Sequence, residues 1–374
     1  MNQTIPPIAR SARGLRTSVF ARLADKIKAM GSEFLPLHIG DTYRTPPEEA
    51  LLPNQDWTRA GLYKYAHPHG QPEFLEALSH KLNSRNGIPA GTDALQVANG
   101  ATQALSAAAG TVLDAGDEVL VLSPFWPLIV GVLKTMRAEP VQVPWTMDLE
   151  PYVTERTRAI YFGNPNNPDG RVLSRAELER LSEVARRHNL WVLADEVYED
   201  YAYDGREHVS LASLPGMFER TLTVFSFSKS YALAGNRVGV VVAHPEAMNP
   251  LRRVANHQVY NVSQAMQTSA LNALLHGDAW LAESRELYDR ARRTLHAGLE
   301  GRCELAQGGA YLWLTLDSEQ AAWNLIERAL ERGLGLAPGE AFGDRFGHCI
   351  RICFTAAPLE GVERAAALLR ELLQ

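Results

Sequence analysis

Short apolar runs alternate with helix-like stretches through the middle of this sequence, and few folds accommodate such an order. Each run is rich in β-branched or aromatic residues and is short enough to be a single buried strand. The runs span residues 118–122, 159–162, 191–194, 221–225 and 238–242. Strands that are apolar throughout and separated by helices form a mostly parallel sheet, which helices cover on both faces. The pattern therefore predicts an α/β fold with a large three-layer α/β/α domain.

The regions that flank this alternation predict a second, smaller unit. After about residue 285, a long charged helix over Glu283–Glu300 precedes a strand over Ala310–Leu314, and a helix, a strand and a final helix follow. Near the start, Ser18–Met30 has apolar residues at intervals of three and four, which predicts another helix. We expect this second domain to be α+β and discontinuous. The expected boundaries are 46–285 for the large domain and 1–45 together with 286–374 for the small one.

The composition argues against several classes of function. A net charge of −6, with no run of Lys or Arg longer than a pair, disfavours a nucleic-acid-binding surface. The first residues lack the basic region and apolar core of a secretory signal, and no apolar run approaches the ~20 residues that span a bilayer. No Gly-x-Gly-x-x-Gly follows a strand, so a dinucleotide-binding enzyme is not indicated. We expect a cytoplasmic protein.

The three cysteines, Cys303, Cys349 and Cys353, are too few for a disulfide framework and suggest a reducing compartment. Cys349 and Cys353 would share one face of a helix. However, they lie in Cys-Ile-Arg-Ile-Cys-Phe, which is rich in residues that favour strands. We therefore expect a strand with buried thiols at this position, and no metal site.

A lysine directly follows one of the predicted buried strands, in Ser226-Phe227-Ser228-Lys229. Burial of an amine is costly and lowers its pKa, which suits a lysine that acts as a nucleophile. Ser226, Ser228 and Arg237 supply hydroxyl and guanidinium donors that suit a phosphate group. On its own, however, such a segment is more often an exposed loop lysine than a catalytic one.

Three further segments lie where ligands bind in open α/β sheets. Asp195 ends another apolar strand, where an aspartate can keep a pyridinium nitrogen protonated or can cap a helix. The turn-rich segment Gly163–Gly170 follows a third strand and is either a binding loop or a tight turn. Asn99–Leu105 opens a helix with small residues, which let backbone N–H groups approach a phosphate, although an ordinary helix start has the same composition.

Together and in this order, these segments resemble the class I/II aminotransferases of the aspartate aminotransferase superfamily, fold type I, which depend on pyridoxal 5′-phosphate. The resemblance runs from about Gly40 to Arg351, which is most of the chain. It implies a transferase that moves an amino group between an amino acid and a 2-oxo acid. It also implies that Lys229 holds the cofactor as a Schiff base and then moves the substrate Cα proton.

The resemblance assigns roles around the cofactor ring. Asp195 matches the partner of the pyridine nitrogen, and Trp126 matches the aromatic residue that stacks on the ring. Tyr198 and Asn167 match residues that hydrogen-bond the ring hydroxylate. The implied catalytic residues are therefore Lys229, Asp195 and Tyr198.

The resemblance also implies sites for the phosphate and for the substrate. Tyr65 matches a tyrosine that reaches the phosphate bound by the neighbouring subunit, so a homodimer with shared active sites is implied. Arg351 matches the arginine that binds the substrate α-carboxylate, and Gly40 and Asn167 match residues near that carboxylate. The residues implied to bind the phosphate are Ala101, Thr102, Ser226, Ser228 and Arg237.

Two segments depart from the family pattern. Asp169 stands where threonine is usual in the Asn-Pro-Thr-Gly loop, and Asp41-Thr42-Tyr43 replaces the common Glu-Pro-Asp on the substrate side. Neither departure touches the groups that carry the chemistry, so the implied reaction is unchanged.

The substrate is less constrained than the reaction. Thr102 and the neighbourhood of His257 lie where relatives that bind acidic substrates carry a second cation, and neither position supplies Arg or Lys. We therefore expect a neutral side chain, aromatic or aliphatic, on one substrate. Glutamate remains a possible amino donor through an arginine that can swing aside. The candidate arginines are Arg44, Arg59 and Arg252.

The same catalytic set serves other reactions of this fold. A C–S β-lyase or a cyclopropane-forming ring closure begins from the same carbanion, so a β-lyase remains the alternative. A ligand sensor that joins an aminotransferase-like domain to a DNA-binding module would need a basic helix-turn-helix region. The residues before Gly40 are too few to supply one, so we do not expect a sensor.

Overall fold

The computed structural model describes residues 8–15, 27–28, 31, 33–145 and 148–374. The predicted helix Ser18–Met30 falls almost entirely outside these residues, although Ile27 and Lys28 are helical. Among the described residues, every helix is either too short or too polar to cross a lipid bilayer.

A seven-stranded sheet forms the centre of the molecule and confirms the predicted α/β class. Each of the five predicted runs is a strand whose ends agree with the prediction within two residues. The strands are β1 (Leu95–Ala98), β2 (Glu118–Ser123), β3 (Glu139–Pro144), β4 (Thr157–Gly163), β5 (Trp191–Asp195), β6 (Thr221–Ser226) and β7 (Gly239–Val242). Their order is β1-β7-β6-β5-β4-β2-β3. The strands β2 to β6 run parallel, and β7 runs antiparallel to both of its neighbours.

Helices cover both faces of this sheet, as predicted. In chain order, the helices of all the described residues, including those beside the second sheet, are α1 (Arg10–Arg13), α2 (Pro72–Lys81), α3 (Gly100–Val112), α4 (Leu128–Thr135), α5 (Arg175–Arg187), α6 (Phe227–Ser230), α7 (Pro245–Gln258), α8 (Gln264–His276), α9 (Asp278–Gly298), α10 (Glu319–Glu331) and α11 (Leu359–Leu372). Val121 of β2 packs in the same core as Leu105 of α3, whereas its neighbour Leu122 packs with Leu178 of α5. Successive residues of a strand point to opposite faces, so each face of the sheet has its own core.

Two strands of the large sheet were not predicted, and both differ from the runs that were. The strand β1 is only four residues long and contains Gln96. The strand β3 lies at the sheet edge, is mostly half-buried and contains Pro140 and Pro144. Proline is tolerated at sheet edges because it cannot donate a ladder hydrogen bond. Neither segment therefore has the continuous apolar character on which the prediction relied.

A second, three-stranded antiparallel sheet follows in the chain, with the order β8-β10-β9. Its strands are β8 (Tyr311–Thr315), β9 (Ala337–Pro338) and β10 (Cys349–Cys353). The long helix α9 precedes this sheet in the chain and packs against α11. The helix begins at Asp278, five residues before the predicted start. Cys349 and Cys353 are buried free thiols in a strand, as predicted. No cluster of potential metal ligands occurs among the residues that the structure describes.

Candidate active site

A cavity of about 160 Å³ opens at the carboxyl ends of β4, β5 and β6. This is the edge at which open α/β sheets bind their ligands. Gly163, Asp195 and Ser226 are the last residues of the three strands and all line the cavity. The other predicted site residues in its wall are Ala101, Thr102, Trp126, Asn167, Tyr198, Ser228, Lys229 and Arg237.

Lys229 lies in the single turn of α6, which begins immediately after β6. Its Nζ atom donates a hydrogen bond to the carbonyl oxygen of Gly40. Burial lowers the pKa of this amine, and the nearby Asp41 carboxylate opposes that shift. A larger fraction of the amine is therefore neutral at physiological pH than for an exposed lysine, as nucleophilic or base chemistry requires.

The antiparallel strand β7, which begins just after Arg237, places this arginine beside Ser226 at the end of β6 and Ser228 in α6. Ser226 Oγ accepts from the Ser228 backbone N–H at 3.1 Å, and both side chains are buried. The Arg237 guanidinium lies against Gly100, whose φ of 77° is in the left-handed region, and an added Cβ at Gly100 would overlap it. The N-terminus of α3, the two serines and the arginine therefore converge, and each is a good donor to a phosphate.

Asp195 has one carboxylate oxygen with a partner and one without. The Tyr161 hydroxyl donates to Oδ2 at 3.1 Å, whereas the buried Oδ1 has no hydrogen-bond partner among the described residues. Burial raises the pKa of Asp195 to about 6, even though the bond from Tyr161 lowers it. An unpaired buried acceptor is costly, so such an oxygen suits a ligand that brings a cationic N–H.

The next residue, Glu196, anchors the end of β5 from the opposite side. Its carboxylate is fully buried and accepts from Ser210 Oγ at 2.7 Å and from the Leu211 backbone N–H at 3.2 Å. His208 Nε2 lies 3.0 Å from Glu196 Oε2. Burial lowers the pKa of His208, but the Glu196 charge outweighs it and the net pKa is above its ordinary value.

We expect Glu196→Gln to lower the free energy of unfolding at pH 6 by about 3–5 kcal/mol, because it leaves a buried His208 cation without its anion. A raised folded-state pKa contributes stability that is fully present below about pH 6.5 and is lost as the pH rises through that pKa. The difference from wild type should therefore shrink above neutral pH. Chemical denaturation at several pH values measures it. Glu150→Gln, which breaks the exposed pair with His188, is the control and should change little.

Arg351 lies in β10, outside the cavity wall but bonded to one of the lining residues. Its guanidinium donates to Asn167 Oδ1 at 3.0 Å and to the His38 carbonyl at 2.8 Å, while Nε is buried without a partner. No carboxylate lies within ion-pair distance of it in the described part of the chain. A buried cation that lacks an anion is costly, so this arrangement suits a carboxylate-bearing ligand.

Gly40, Tyr65 and Arg351 do not line the cavity of their own chain, although Arg351 hydrogen-bonds Asn167, which does. Gly40 contacts it only through the Lys229 amine. Tyr65 is 83% exposed, and its ring lies 5.2 Å from that of Tyr260, which is also exposed. The geometry of one chain therefore brings together the predicted site residues except Tyr65, which points into solvent.

The three candidate arginines for an acidic substrate are placed differently from one another. Arg44 is held by Ser284 Oγ at 2.6 Å and by Glu283 Oε2 at 2.7 Å. Arg252 donates to the carbonyl oxygens of residues 92 and 95, at the far end of the sheet's edge strand. Arg59 is half-exposed, with Glu73 at 4.0 Å. None of them lines the cavity.

The two departures from the family pattern serve local structure. Asp169 Oδ1 accepts from Asn166 Nδ2 at 2.8 Å and from the Arg171 backbone N–H at 3.3 Å. It thereby closes the loop that carries Asn167. Asp41 Oδ1 accepts a hydrogen bond from the backbone N–H of the next residue, Thr42, at 2.9 Å.

Tyr161 and Tyr311 contact the predicted site residues but were not predicted. Tyr161 lies two residues before the end of β4, and the pairing of Gly163 with Asp195 places its side chain beside that carboxylate. The adjacency of the two strands could have indicated it. Tyr311 belongs to the second sheet, and its hydroxyl hydrogen-bonds that of Tyr198. Nothing in the sequence indicates how the two sheets are placed, so no signal was available for Tyr311.

Comparison with known proteins identifies the family. The chain matches the model for class I and II aminotransferases over residues 32–369. It is 33% identical to an aspartate aminotransferase of Pyrococcus abyssi, over 92% of this chain and 94% of the relative. It is also 33% identical to an arginine–pyruvate transaminase of Pseudomonas aeruginosa, over 92% of each. The solved aromatic aminotransferase of Pyrococcus horikoshii superposes with a TM-score of 0.86 at 30% identity, covering 94% of this chain and 98% of that one. This protein therefore belongs to the class I and II aminotransferases, fold-type-I enzymes that use pyridoxal 5′-phosphate to move amino groups between amino acids and 2-oxo acids.

Proposed function

We propose that this aminotransferase works at the cavity at the carboxyl ends of β4 to β6, with Lys229 as the amine that binds the cofactor and moves the substrate proton. The observation that carries the proposal is that the Lys229 side chain and the carboxylate of Asp195, with its unpaired Oδ1, line one cavity. A nucleophilic amine and an acceptor for a cationic ring nitrogen are the two protein groups that pyridoxal chemistry needs most.

The residues around the cavity fit pyridoxal 5′-phosphate in charge and in hydrogen bonding. Asp195 would hold the ring nitrogen, Trp126 would stack on the ring, and Tyr198 and Asn167 would bind the ring oxygen. The donors for the phosphate would be Ala101, Thr102, Ser226, Ser228 and Arg237. When bound, the cofactor supplies an electron sink for the charge that develops at the substrate Cα.

The Lys229 amine would act as the general base. Its lowered pKa enlarges the neutral fraction of the amine, and its hydrogen bond to the Gly40 carbonyl holds Nζ in place. A neutral amine can take the proton from the substrate Cα, and the resulting ammonium can deliver a proton to a second carbon within reach. That exchange of protons is the step that transamination requires.

We expect Arg351→Ala to raise the KM for the amino acid by about a hundredfold, because the substrate carboxylate loses a buried, charge-assisted pair of hydrogen bonds. The turnover number should fall much less, since Arg351 moves no proton. Steady-state kinetics with one amino acid at varied concentration separates the two constants. Arg332→Ala, which removes an exposed arginine paired with Glu371, is the matched control. An unchanged KM would place the carboxylate site elsewhere.

We also propose that the enzyme is a homodimer in which Tyr65 reaches the cavity of the second copy. Tyr63, Tyr65 and Tyr260 are 84%, 83% and 56% exposed, respectively, although each has a large apolar ring. An exposed patch with neighbouring aromatic rings, such as those of Tyr65 and Tyr260, marks an interaction site more often than an ordinary surface. A second copy that covers it would also bring the Tyr65 hydroxyl to the phosphate donors.

We also propose the two domain boundaries and the cellular location of this enzyme. The two separate sheets support a large domain over 46–285 and a small one that combines 1–45 with 286–374. The three cysteines are all free thiols, which supports a reducing, cytoplasmic location.

For the substrate we propose a neutral side chain, aromatic or aliphatic. The cations in the cavity wall are Lys229 and Arg237, which the cofactor would use, and none of the three candidate arginines of this chain lines it. Ile39, next to Gly40, is apolar and 48% exposed, so it offers a hydrophobic contact on the substrate side. The relatives named above act on aspartate, on arginine with pyruvate and on aromatic substrates, so their names do not select one class.

The test of the proposed reaction is a visible spectrum of the holoenzyme with single amino acids, together with an assay for released 2-oxo acid. A transaminase without an acceptor should lose its visible band and release one 2-oxo acid per active site, and aromatic or aliphatic amino acids should do this best. Continued release of pyruvate and ammonia without an acceptor would contradict transamination and indicate a β-lyase. A protein that shows no visible band after incubation with pyridoxal phosphate would contradict the site.

A further inference from the structure

We propose that Tyr311 is a positioning residue of the active site, whose hydroxyl donates to Tyr198 and whose ring supports Arg351. This inference rests on the proposed function, because it concerns how these two residues are prepared for the cofactor and for the substrate. It assigns Tyr311 to the reaction although Tyr311 does not line the cavity.

The first observation is the direct contact between two buried phenols. Tyr198 and Tyr311 are only 3% and 1% exposed, and their hydroxyl groups hydrogen-bond each other. The ring centroids are 5.6 Å apart, with planes at 76°. Burial raises the pKa of both, that of Tyr311 to about 12, so both are protonated at neutral pH. One of the two protons lies in the shared bond and the other is free to bind a third oxygen.

The second observation indicates which phenol donates. The Arg351 guanidinium carbon lies 4.2 Å from the centroid of the Tyr311 ring. A cation over a phenol face withdraws electron density and makes that O–H the better donor. In the proposed arrangement Tyr311 donates to the Tyr198 oxygen, and this bond polarises the Tyr198 O–H so that its proton is available to the ring oxygen of the cofactor.

The third observation is that the same hydroxyl packs against the backbone segment that accepts the Lys229 hydrogen bond. The Tyr311 Oη atom lies so close to Gly40 that a Cβ added there would overlap it. The Gly40 carbonyl in turn accepts the bond from Lys229 Nζ. One phenol in the second sheet therefore touches Tyr198, Arg351 and the segment that orients Lys229.

The test is a pH titration of the visible absorption of the holoenzyme, which does not depend on turnover. A hydrogen bond from Tyr198 stabilises the anionic ring oxygen, and Tyr311→Phe should weaken that bond. The pH at which half of the absorbance change has occurred, called the midpoint below, should therefore rise by about one pH unit in Tyr311→Phe. Tyr198→Phe should raise it further, and adding Tyr311→Phe to Tyr198→Phe should produce no additional rise.

Three outcomes of the titration would overturn the inference. An unchanged midpoint in Tyr311→Phe would mean that the hydroxyl has no influence on Tyr198, and a lowered midpoint would mean that Tyr311 accepts the bond and competes for the Tyr198 proton. A full additional rise in the double variant would show that Tyr311 acts independently of Tyr198. If the wild type itself shows no visible band, the proposed function fails instead.

Tyr203→Phe is the matched control. Tyr203 is 3% exposed, and its hydroxyl donates to the Gly309 carbonyl at 2.9 Å, so the variant loses a buried hydrogen bond of a similar kind. It should lose comparable thermal stability without moving the midpoint. Tyr311→Leu tests the second role: losing the ring beneath Arg351 should raise the KM for the amino acid by about tenfold, whereas Tyr311→Phe should leave the KM nearly unchanged. Equal KM values in the two variants would contradict the support of Arg351.

Discussion

Replacing Lys229 with alanine should abolish turnover and remove the visible absorption that a lysine-bound cofactor gives. The reason is that the proposed site has one amine in its wall, and that amine serves both as the attachment point and as the base. The expected loss exceeds about 10⁴-fold, because nucleophilic attachment and general-base catalysis are removed together. Stopped-flow absorbance and product analysis with the best amino acid measure both effects.

Two variants separate this result from a loss of folding. Lys229→Arg keeps a cation at the position but cannot act as a neutral nucleophile, so it should be equally inactive. Lys134→Ala, in α4 and outside the cavity wall, should be fully active. A small external amine should restore part of the proton transfer to Lys229→Ala. Appreciable turnover in Lys229→Ala without such an amine would contradict the central assignment.

Asp195→Asn should reduce turnover by at least about a hundredfold, while the protein remains folded. Asparagine keeps the size of the side chain and its acceptor for Tyr161, but it removes the negative charge that would hold a proton on the ring nitrogen. Without that proton, the cofactor is a weaker electron sink. Single-turnover kinetics on the cofactor-loaded variant measure the loss. Near-normal activity would mean that the nitrogen partner is another residue.

Asp195 should also make the binding of the cofactor depend on pH. The pKa of Asp195 is raised to about 6, so its carboxylate is charged above that pH and protonated below it. Uptake of pyridoxal phosphate by the apoprotein should therefore weaken as the pH falls below about 6, and this weakening should be absent in Asp195→Asn. Tyr161→Phe removes only the bond to Oδ2 and should have a much smaller effect on turnover than Asp195→Asn.

The sequence predicted the parts of the molecule in which the local residue pattern alone determines the structure. A short apolar run that is rich in β-branched residues and lies between two helices predicts a buried strand. Asp195 ends one such strand, and Lys229 lies three residues after another. The resemblance then supplied roles that periodicity cannot, such as that of Trp126. By contrast, the predicted strand positions do not reveal β3, since an edge strand needs no continuous apolar run.

The parts that could not be predicted depend on contacts between distant segments. Tyr311 and Arg351 lie in the second sheet and hydrogen-bond Tyr198 and Asn167 of the cavity wall. Only the packing of that sheet against the first places the phenol on Tyr198. Likewise, Arg44 forms an ion pair with Glu283, so its charge is already paired within the protein. The two residues are far apart in the chain. Local sequence patterns do not indicate which distant segments come into contact.

The antiparallel course of β7 has a consequence for the order in which the site assembles. Gly239 pairs with Ser226 through a short loop, whereas its pairing with Ala98 on the other side closes a loop roughly ten times longer. Loop-closure entropy favours the shorter connection by about 2 kcal/mol. The serines, Lys229 and Arg237 therefore belong to a hairpin that can form before most of the sheet exists, and the aspartate, asparagine and tyrosines join it later from separate crossovers.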